Sequence, residues 1–584
     1  MNKLFFGDNL VWLDSFPSEV ADLIYLDPPF NSRINYHLLY RSPEDDTQAQ
    51  YQAFVDSWRW DKPADIAYAR IMKRGRECAK IIAALHELMN KSDLMAYLTM
   101  MTVRLLELHR VLKSTGSLYL HCDSNASHYL KLILDAIFGA GTFRNEIIWK
   151  RAHTVKGNFG QGTKAFGRNT DTILFYTKTS EYVFNQVFMD YSEDYLETFY
   201  KYKDADGRRY RLISMIGPGG AAKGNPFYEV MGIERHWRYS RRKMAELISS
   251  GLVVQTSSGA VPQRKQYLDD GKGVAVQSLW EDIQALSASS SERLGYPTQK
   301  PLALLKRIIN TSTKPGDLVL DPFCGCGTAI DAAQALGRNW IGIDITPLAI
   351  DVVERRLSRK GLRRKHHYMV EGVPVDMDGA ISLYESDPLH LQFELWALTL
   401  VDGQPRDGGK AGADKGVDGV IYFQDDARNV ERAIVSVKGG KNVQAQHVRD
   451  LIGSMTTQGA KMGVVVTMRK TSGMEVAARE AGSVEAGGKL RRRVQILTID
   501  ELLAGKKPDL PPVHDIISTA AASRRAKMSR DMDFNPEKLR ESPQFKYPIP
   551  GGVHQFAAQG TFLMEEPLLV EPQPQKAVRR RRRG

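Results

Sequence analysis

The chain has 584 residues, more than one hydrophobic core usually serves, so we expect several domains. Its 80 Lys and Arg residues outnumber 68 Asp and Glu, and the net charge of +12 favours an anionic partner such as nucleic acid. No run approaches the roughly 18 apolar residues of a membrane span, and four cysteines argue against a disulfide framework or a four-cysteine zinc site. The sequence thus predicts a soluble cytoplasmic protein with no membrane partner.

The first distinctive motif is ADLIYLDPPFN, at residues 21–31. Its apolar run at 23–26 is typical of a buried parallel strand. The two prolines that follow cannot continue a sheet ladder, and each fixes its own φ, so the residues around them form a stiff loop. Such a loop indicates a functional site, although Asp-Pro also occurs in simple turns. The loop residues are Asp27, Pro28, Pro29 and Phe30.

An α/β pattern continues to residue 150 and is then interrupted. Residues 94–112 carry apolar side chains at helical spacing, and GSLYLHC follows as a strand. Beyond them, stretches such as KGNFGQGTKAFGRN and RHWRYSRRKM mix glycine, basic and aromatic residues without a regular period. We therefore predict a first catalytic part at 1–150 and an inserted domain at 151–294.

The α/β pattern returns at 295–365, where LVLDPFCGCGT and WIGID read as strand, glycine-rich loop, helix and strand. The strand delivers Asp321, and Gly325 and Gly327 let the backbone approach a ligand closely. Asp344 ends the second strand near the ~20-residue offset at which an acid receives a ribose hydroxyl. The third glycine of a dinucleotide motif and a phosphate-binding G-x-x-x-x-G-K-[ST] are both absent, so S-adenosylmethionine fits this loop best.

Methylation of the exocyclic amine of a nucleobase would explain the residues of the Asp-Pro-Pro-Phe loop. The nitrogen lone pair is delocalised into the base, and Asp27 and the Pro28 carbonyl could each accept an amine hydrogen, which would aim the lone pair at the methyl group. Phe30 could stack on the base, which would have to be flipped out of the duplex. Methylation at cytosine carbon 5 is disfavoured, because its cysteine nucleophile follows a proline in that family and no cysteine here does.

Together these motifs resemble the β class of amino-group DNA methyltransferases. The resemblance covers residues 1–365 and rests, in order, on GDNL, LDPPF, YPTQKP, LDPFCGCGT and GID. It implies a doubly wound α/β fold that binds S-adenosylmethionine, with a target-recognition domain inserted at 151–294. The stretch from WKRAHT to LFYTK is also similar to modification subunits of type III restriction systems. The cofactor-binding residues that the resemblance implies are Asp8, Thr298, Gln299, Lys300, Asp321, Phe323, Gly325, Gly327, Thr328 and Asp344.

The resemblance also implies the substrate, double-stranded DNA with a flipped target base. Aspartate at the first loop position is more typical of adenine-directed members, so N6 of adenine is the expected acceptor and the cytosine amine is the alternative. Methylation of RNA or of a protein glutamine is a third alternative, which the basic insert and the restriction-like C-terminal region disfavour. The expected setting is restriction-modification or phage defence near the nucleoid, and a homodimer or restriction-complex partners stay open.

Residues 366–512 resemble Mrr-type restriction endonucleases through GVDGVIYF, IVSVKGGKNVQAQHVRDLIGSM and GAKMGVVVTM. This implies a smaller α/β domain in which Asp418 and Lys438 serve a Mg²⁺-dependent nuclease, with Glu394 as an additional metal ligand. Ser436 stands where the family has Glu or Gln, so we expect weak or conditional cleavage. The alternative is a module that only binds DNA or mediates assembly. The tail at 513–584, rich in proline and charge, is predicted to be partly disordered.

Overall fold

The structure is a computed structural model that describes most of the chain to Val513. Residues 1–524 form one compact unit, and the second unit, 525–584, lies wholly outside the described residues. Phe30 of the predicted catalytic loop and nearly all of the predicted disordered tail also lie outside them. The described residues are 2–29, 35–41 and 48–55 (backbone only in these two), 59–75, 77–152, 166–287, 290–294, 296, 298–386, 390–405, 416–426, 429–440 and 442–513.

The first part of the chain alternates strands with helices. Ser92 caps the longest of these helices by accepting a hydrogen bond from the Met95 N–H. The elements are β1 (Asn2–Phe6), α1 (Asn9–Ser15), β2 (Ala21–Leu26), β3 (Asn35–Arg41), β4 (Gln48–Val55), α2 (Lys62–Arg74), α3 (Glu77–Met89), α4 (Asp93–Val111), β5 (Leu112–Cys122), α5 (Ser127–Phe138), β6 (Phe143–Lys150) and β7 (Thr170–Thr177).

The middle of the chain folds into short antiparallel sheets with their own small core around the buried side chains of Met215, Trp237 and Met244. Its elements are β8 (Phe188–Met189), α6 (Glu193–Phe199), β9 (Tyr202–Lys203), β10 (Arg209–Ser214), β11 (Phe227–Val230), β12 (Ile233–His236), α7 (Arg241–Ser249), β13 (Val253–Val254), β14 (Gln263–Tyr267) and β15 (Val274–Ala275).

A return to the α/β alternation completes a nine-stranded sheet. The order is β16-β6-β7-β5-β2-β17-β18-β1-β19, and every neighbouring pair is parallel except those that β7 makes with β5 and β6. The added elements are β16 (Leu279–Trp280), α8 (Leu302–Ser312), β17 (Leu318–Asp321), α9 (Thr328–Ala335), β18 (Asn339–Asp344), α10 (Pro347–Ser358) and β19 (Tyr368–Glu371).

Helices cover both faces of this sheet, because its buried strands alternate apolar side chains to either side. On β2, Ile24 and Leu26 pack with helices α2–α5, whereas Leu23 and Tyr25 pack with α8, α9 and α10. The predicted doubly wound α/β fold is therefore confirmed. The predicted strand at 23–26, the helix at 94–112 and the strand–loop–helix–strand unit around 318–344 are confirmed too.

The main sheet extends into the range that the sequence assigns to the insert. Strand β7 pairs with both β5 and β6, and β16 pairs with β6. In the structure the sheet thus continues to Thr177 and resumes at Leu279, because apolar residues of β7 such as Ile173 and Phe175 join its core.

The C-terminal part forms a separate five-stranded sheet in the order β20-β21-β22-β23-β26, which is parallel from β22 to β26. Two apolar clusters cover its two faces. None of the helices described has the length and apolar character needed to cross a membrane. The elements are α11 (Met377–Ser386), α12 (Leu391–Leu400), β20 (Gln404–Pro405), β21 (Gly419–Gln424), β22 (Val430–Lys438), α13 (Ala445–Gln458), β23 (Met462–Thr467), α14 (Ser472–Glu480), β24 (Ser483–Ala486), β25 (Lys489–Arg492), β26 (Val494–Thr498) and α15 (Ile499–Leu503).

Candidate active site

Three acids lie at the carboxyl ends of three neighbouring parallel strands. Asp27 follows β2, Asp321 ends β17, and Asp344 ends β18. Ligands of open α/β sheets bind at this edge. Burial, together with the charges of Asp27 and Asp344, raises the pKa of Asp321 well above its usual range. Burial likewise raises the pKa of Asp344, against several hydrogen bonds that lower it. The site thus holds two acids whose burial disfavours the charged form.

The glycine-rich loop between β17 and α9 is held against β18 by backbone hydrogen bonds. The Gly325 N–H donates to Oδ2 of Asp344 at 2.9 Å, and the Cys324 N–H donates to the Ile343 carbonyl at 3.0 Å. Gly325 and Gly327 have φ values of +48° and +73°, which side chains rarely adopt. A Cβ at Gly327 would lie 2.8 Å from Cγ2 of Val353. Both predicted glycines are therefore required by the loop's shape.

Hydrogen bonds hold the two acids beside this loop, Asp321 and Asp344, in place. The Phe323 N–H donates to Oδ1 of Asp321 at 3.0 Å. Oδ1 of Asp344 accepts from the backbone N–H and the hydroxyl of Thr346, at 2.9 and 3.0 Å, and that hydroxyl also caps α10. Thr328 is buried at the start of α9. The orientation of the Asp344 carboxylate is thus set by Thr346, the N-cap residue of α10.

Asp27 meets a lysine that the sequence assigns to the cofactor. Lys300 Nζ donates to Oδ2 of Asp27 at 2.5 Å and lies 3.4 Å from the Thr298 carbonyl. Lys300 is only 8% exposed, and Pro28 is buried while Pro29 is half-buried. The structure therefore brings the YPTQKP motif to the Asp-Pro-Pro loop, and Tyr296 of the same motif lies against Gly325 of the glycine-rich loop.

The rest of the YPTQKP motif organises its own segment. The Gln299 side chain accepts from the Leu294 N–H and donates to the Glu292 carbonyl, both at 2.8 Å. Thr298 has a φ of +59°, an uncommon conformation for a residue with a side chain. The direct contacts of Gln299 are thus with the chain itself, and its predicted role near the cofactor stays a prediction.

Asp8 is connected to the glycine-rich loop through a buried arginine that sequence reasoning missed. Asp8 caps α1 by accepting from the Leu10 N–H, and its Oδ1 also accepts from Arg104 at 2.8 Å. Arg104 donates to Asn9 at 2.6 Å, and Asn9 donates to the Pro322 carbonyl at 2.8 Å. An arginine within the apolar pattern of α4 was the available signal.

A second missed group lies beside Asp27 on the same edge. The Tyr25 hydroxyl is 3.2 Å from Nδ1 of His121, and Nε2 of His121 is 3.0 Å from Oδ2 of Asp171. Burial opposes ionisation of Asp171, but the His121 hydrogen bond and the charges of His121, Arg151 and Lys300 lower its pKa overall. The sequence signal was one histidine in the apolar strand GSLYLHC.

A family model described as "DNA methylase" matches residues 21–355, more than half of the chain. The chain belongs to the DNA methylase family. The match includes the Asp-Pro-Pro loop, the glycine-rich loop and both strands that end in Asp321 and Asp344. We call residues 21–355 the methylase region.

Curated relatives are similar to parts of the chain. Type II methyltransferase M.EcaI of Enterobacter cloacae is 33% identical over 269 residues, which are 45% of this chain and 58% of that protein. The StyLTI Mod subunit, a type III restriction-modification enzyme of Salmonella typhimurium, is 27% identical over 63% of this chain and 54% of its own length. DNA adenine methyltransferase YhdJ of Escherichia coli is 24% identical over 60% and 81%, respectively. The chain thus spans just over half the length of the first two.

The insert of the methylase region presents a basic surface around the start of α7. Ser240 caps this helix, and Trp237 is buried beneath it. The Arg241 guanidinium lies 5.2 Å from the centre of the Tyr228 ring, a cation–π contact. We define the insert's basic surface as the exposed residues Arg235, Arg238, Arg241, Arg242 and Lys243.

Three of the predicted nuclease residues, Asp418, Ser436 and Lys438, meet where β21 begins and β22 ends. Oδ2 of Asp418 accepts from the Val437 N–H at 2.6 Å and lies 3.4 Å from both Ser436 Oγ and Lys438 Nζ. Ser436 is buried, and Glu394 is half-buried on α12. Within the described part of the chain, no group of three or more His, Cys, Asp or Glu residues could hold a metal. Because such a group is missing there and Ser436 offers a hydroxyl in place of a carboxylate, these residues do not fit a magnesium site.

The C-terminal part also matches a family model. Residues 391–504 match "NACHT-associated inactive Restriction Endonuclease 1". The predicted restriction-endonuclease-like domain is therefore confirmed in its coarse form. The narrower likeness to Mrr-type enzymes is not what this match supports.

Proposed function

We propose that the chain is a site-specific DNA methyltransferase that transfers a methyl group from S-adenosylmethionine to N6 of adenine. The observation that carries the proposal is the placement of Asp27, Asp321 and Asp344, with a glycine-rich loop, at one edge of the sheet. The family membership and the names of the relatives support it.

The described residues fit S-adenosylmethionine. Gly325 and Gly327 let the loop pack against Tyr296 and Val353, where a Cβ would collide, and so hold its backbone beside Asp344. The Asp344 carboxylate can accept ribose hydroxyls. Asp321 and Asp344 are buried acids that a cationic ligand would stabilise, because their burial disfavours the charged form. The bound cofactor supplies a methyl group on a positively charged sulfur.

The chain's own residues prepare the acceptor. Lys300 contacts Oδ2 of Asp27, so Oδ1 can accept one hydrogen of the target amine while the Pro28 carbonyl accepts the other. Both bonds draw the nitrogen toward tetrahedral geometry and free its lone pair. Asp27 can also take the proton that the amine loses on methylation. This geometry requires that the base leave the DNA stack.

The proposal is tested by incubating the purified chain with isotopically labelled S-adenosylmethionine and unmethylated double-stranded DNA. After digestion, mass spectrometry of the nucleosides should find the label in N6-methyladenine. Label in N4-methylcytosine would show that the acceptor is the exocyclic amine of cytosine and not that of adenine. Transfer to RNA or protein with none to DNA would contradict the proposal.

We further propose that the insert's basic surface binds DNA phosphates. Replacing Arg238, Arg241 and Arg242 by alanine should weaken DNA binding and reduce the slope of log affinity against log salt by about 0.9 for each phosphate that is no longer neutralised. Binding isotherms at several salt concentrations measure the slope. An equal set of substitutions at Lys62, Lys73 and Lys80, on α2 and α3, serves as the control. An unchanged slope in the first variant would place the DNA elsewhere.

For the C-terminal domain we propose DNA binding or assembly without cleavage, whether or not its ancestry is Mrr-type. Asp418 belongs to no group of three or more potential metal ligands among the described residues, and Ser436 offers a poor Mg²⁺ ligand. The name of the matching family supports this reading over the weak cleavage expected from the sequence. A role beside restriction-complex partners is consistent with the Mod-subunit relative.

We expect the chain to nick DNA with Mg²⁺ or Mn²⁺ no faster than its Asp418→Ala variant. Supercoiled plasmid in each methylation state is the substrate, and both proteins should methylate equally. Ser436→Glu adds the missing carboxylate, so this variant should gain nicking activity. A further Asp418→Ala substitution in the Ser436→Glu variant should abolish that activity. Rapid cleavage by the unmodified chain, lost in Asp418→Ala, would establish a working nuclease.

A further inference from the structure

Helix α12, the first element of the restriction-endonuclease-like match, is buried on two sides. Its sequence, LQFELWALTL, is apolar nearly all round, which is typical of a helix with no free face. Phe393, Trp396 and Leu398 pack into the core of the C-terminal sheet. Leu395, which is 2% exposed, packs instead into a cluster of the methylase region. The helix thus belongs to both cores.

The cluster around Leu395 lies directly behind the cofactor loop. It contains Leu348, Ala349 and Val352 of α10, together with Cys326 of the loop and Tyr296. Leu395 therefore replaces solvent on the outer side of α10.

Tyr296 and α10 in turn define the loop's geometry. A Cβ at Gly325 would lie 3.1 Å from Cε1 of Tyr296, so the ring sets how far the loop can move outward. Thr346 caps α10 and donates two hydrogen bonds to Asp344, which accepts the Gly325 N–H. A displacement of α10 would therefore change the direction of the Asp344 carboxylate.

Charged residues flank this apolar contact beyond the C-terminal end of α12. Arg355 of α10 donates to Asp351 on its own helix at 2.7 Å and to Asp402, just beyond α12, at 3.0 Å. Lys507 donates to Asp402 at 3.1 Å and to the Leu400 carbonyl at 2.8 Å. An apolar centre with a polar rim is the arrangement of a specific interface.

We propose that Leu395 is a positioning residue for the cofactor site, through which the C-terminal domain supports α10, Tyr296 and the glycine-rich loop. The inference rests on the proposed binding of S-adenosylmethionine. The C-terminal domain is then an integral part of the methyltransferase. By thermodynamic reciprocity, cofactor binding stabilises α12.

The matched pair Leu395→Ala and Leu398→Ala tests the inference. Both leucines are buried on α12, but Leu395 faces the methylase region and Leu398 faces the C-terminal core. Leu395→Ala should weaken S-adenosylmethionine binding and raise its KM about five- to tenfold with kcat nearly unchanged, within the usual range of coupling between sites. Leu398→Ala should change the cofactor affinity and KM by less than about twofold, which is about the deviation seen between sites that act independently. Equal effects on cofactor affinity would overturn the proposal.

Hydrogen exchange on the unaltered chain provides a test that needs no variant. Saturating S-adenosylhomocysteine, with binding verified by titration, should slow exchange in Leu391–Leu400 and leave α13, Ala445–Gln458, unchanged. Binding without added protection of α12 would overturn this inference and leave the proposed function standing. If the chain bound neither S-adenosylmethionine nor S-adenosylhomocysteine, the proposed function and this inference would both be wrong.

Discussion

Replacing Asp27 by alanine is expected to lower the rate of methyl transfer at least about a thousandfold, within the range for loss of acid–base catalysis. The variant loses the acceptor that draws one hydrogen from the target amine. It should still bind S-adenosylmethionine, since the glycine-rich loop is held by groups other than Asp27. Asp27 contacts Lys300, whereas Gly325 and Asp344 contact each other. Transfer of the labelled methyl group measures the rate, and titration with S-adenosylmethionine measures the cofactor affinity.

Two further variants make the Asp27 result decisive. Asp27→Ala leaves Lys300 mostly buried without its carboxylate, which can cost about 3–5 kcal/mol of stability. Adding Lys300→Met removes that charge and should restore part of the lost melting temperature while the protein stays inactive. Glu77→Ala, at an exposed ion pair with Lys80, should change neither rate nor affinity. Methylation by Asp27→Ala at a rate near that of Glu77→Ala would refute the role of Asp27.

Replacing Gly325 by alanine is expected to weaken S-adenosylmethionine binding about 10- to 100-fold, because the loop must move to relieve about 1–3 kcal/mol of strain and each 1.4 kcal/mol is a factor of ten. The φ of +48° disfavours alanine, and its Cβ would lie 3.1 Å from the buried Tyr296 ring. Relief of both strains moves the Gly325 N–H away from Asp344. Titration of the cofactor measures the loss.

Gly337→Ala is the matched control for the cofactor loop. Gly337 follows α9 with a φ of +69°, yet nothing lies within 4 Å of the Cβ it would gain. Both variants therefore carry left-handed strain, and only Gly325→Ala disturbs the loop. A similar loss of affinity in the two would mean that general destabilisation, and no specific cradle, explains the effect.

Local sequence determined the elements that build the site. The run at 23–26 became β2 because buried parallel strands need continuous apolar residues, and the prolines after it end the sheet ladder. The strand–glycine loop–helix–strand pattern became β17, α9 and β18 because glycine adopts the left-handed turns between them at little steric cost. The same local signals gave no notice that β7 and β16 belong to the main sheet, since strand pairing is decided between distant segments.

Only the tertiary structure decided which distant side chains meet. Lys300 reaches Asp27 across 273 positions of sequence because the sheet places β2 beside β17. His121 meets Asp171 because β7 returns antiparallel to β5, and Leu395 reaches the cofactor loop because α12 packs on α10. Periodicity and turn chemistry act over a few residues, so they determined the strands, helices and loops of this protein. The pairing of strands and the burial of their faces act between elements, and they alone joined those loops into one site.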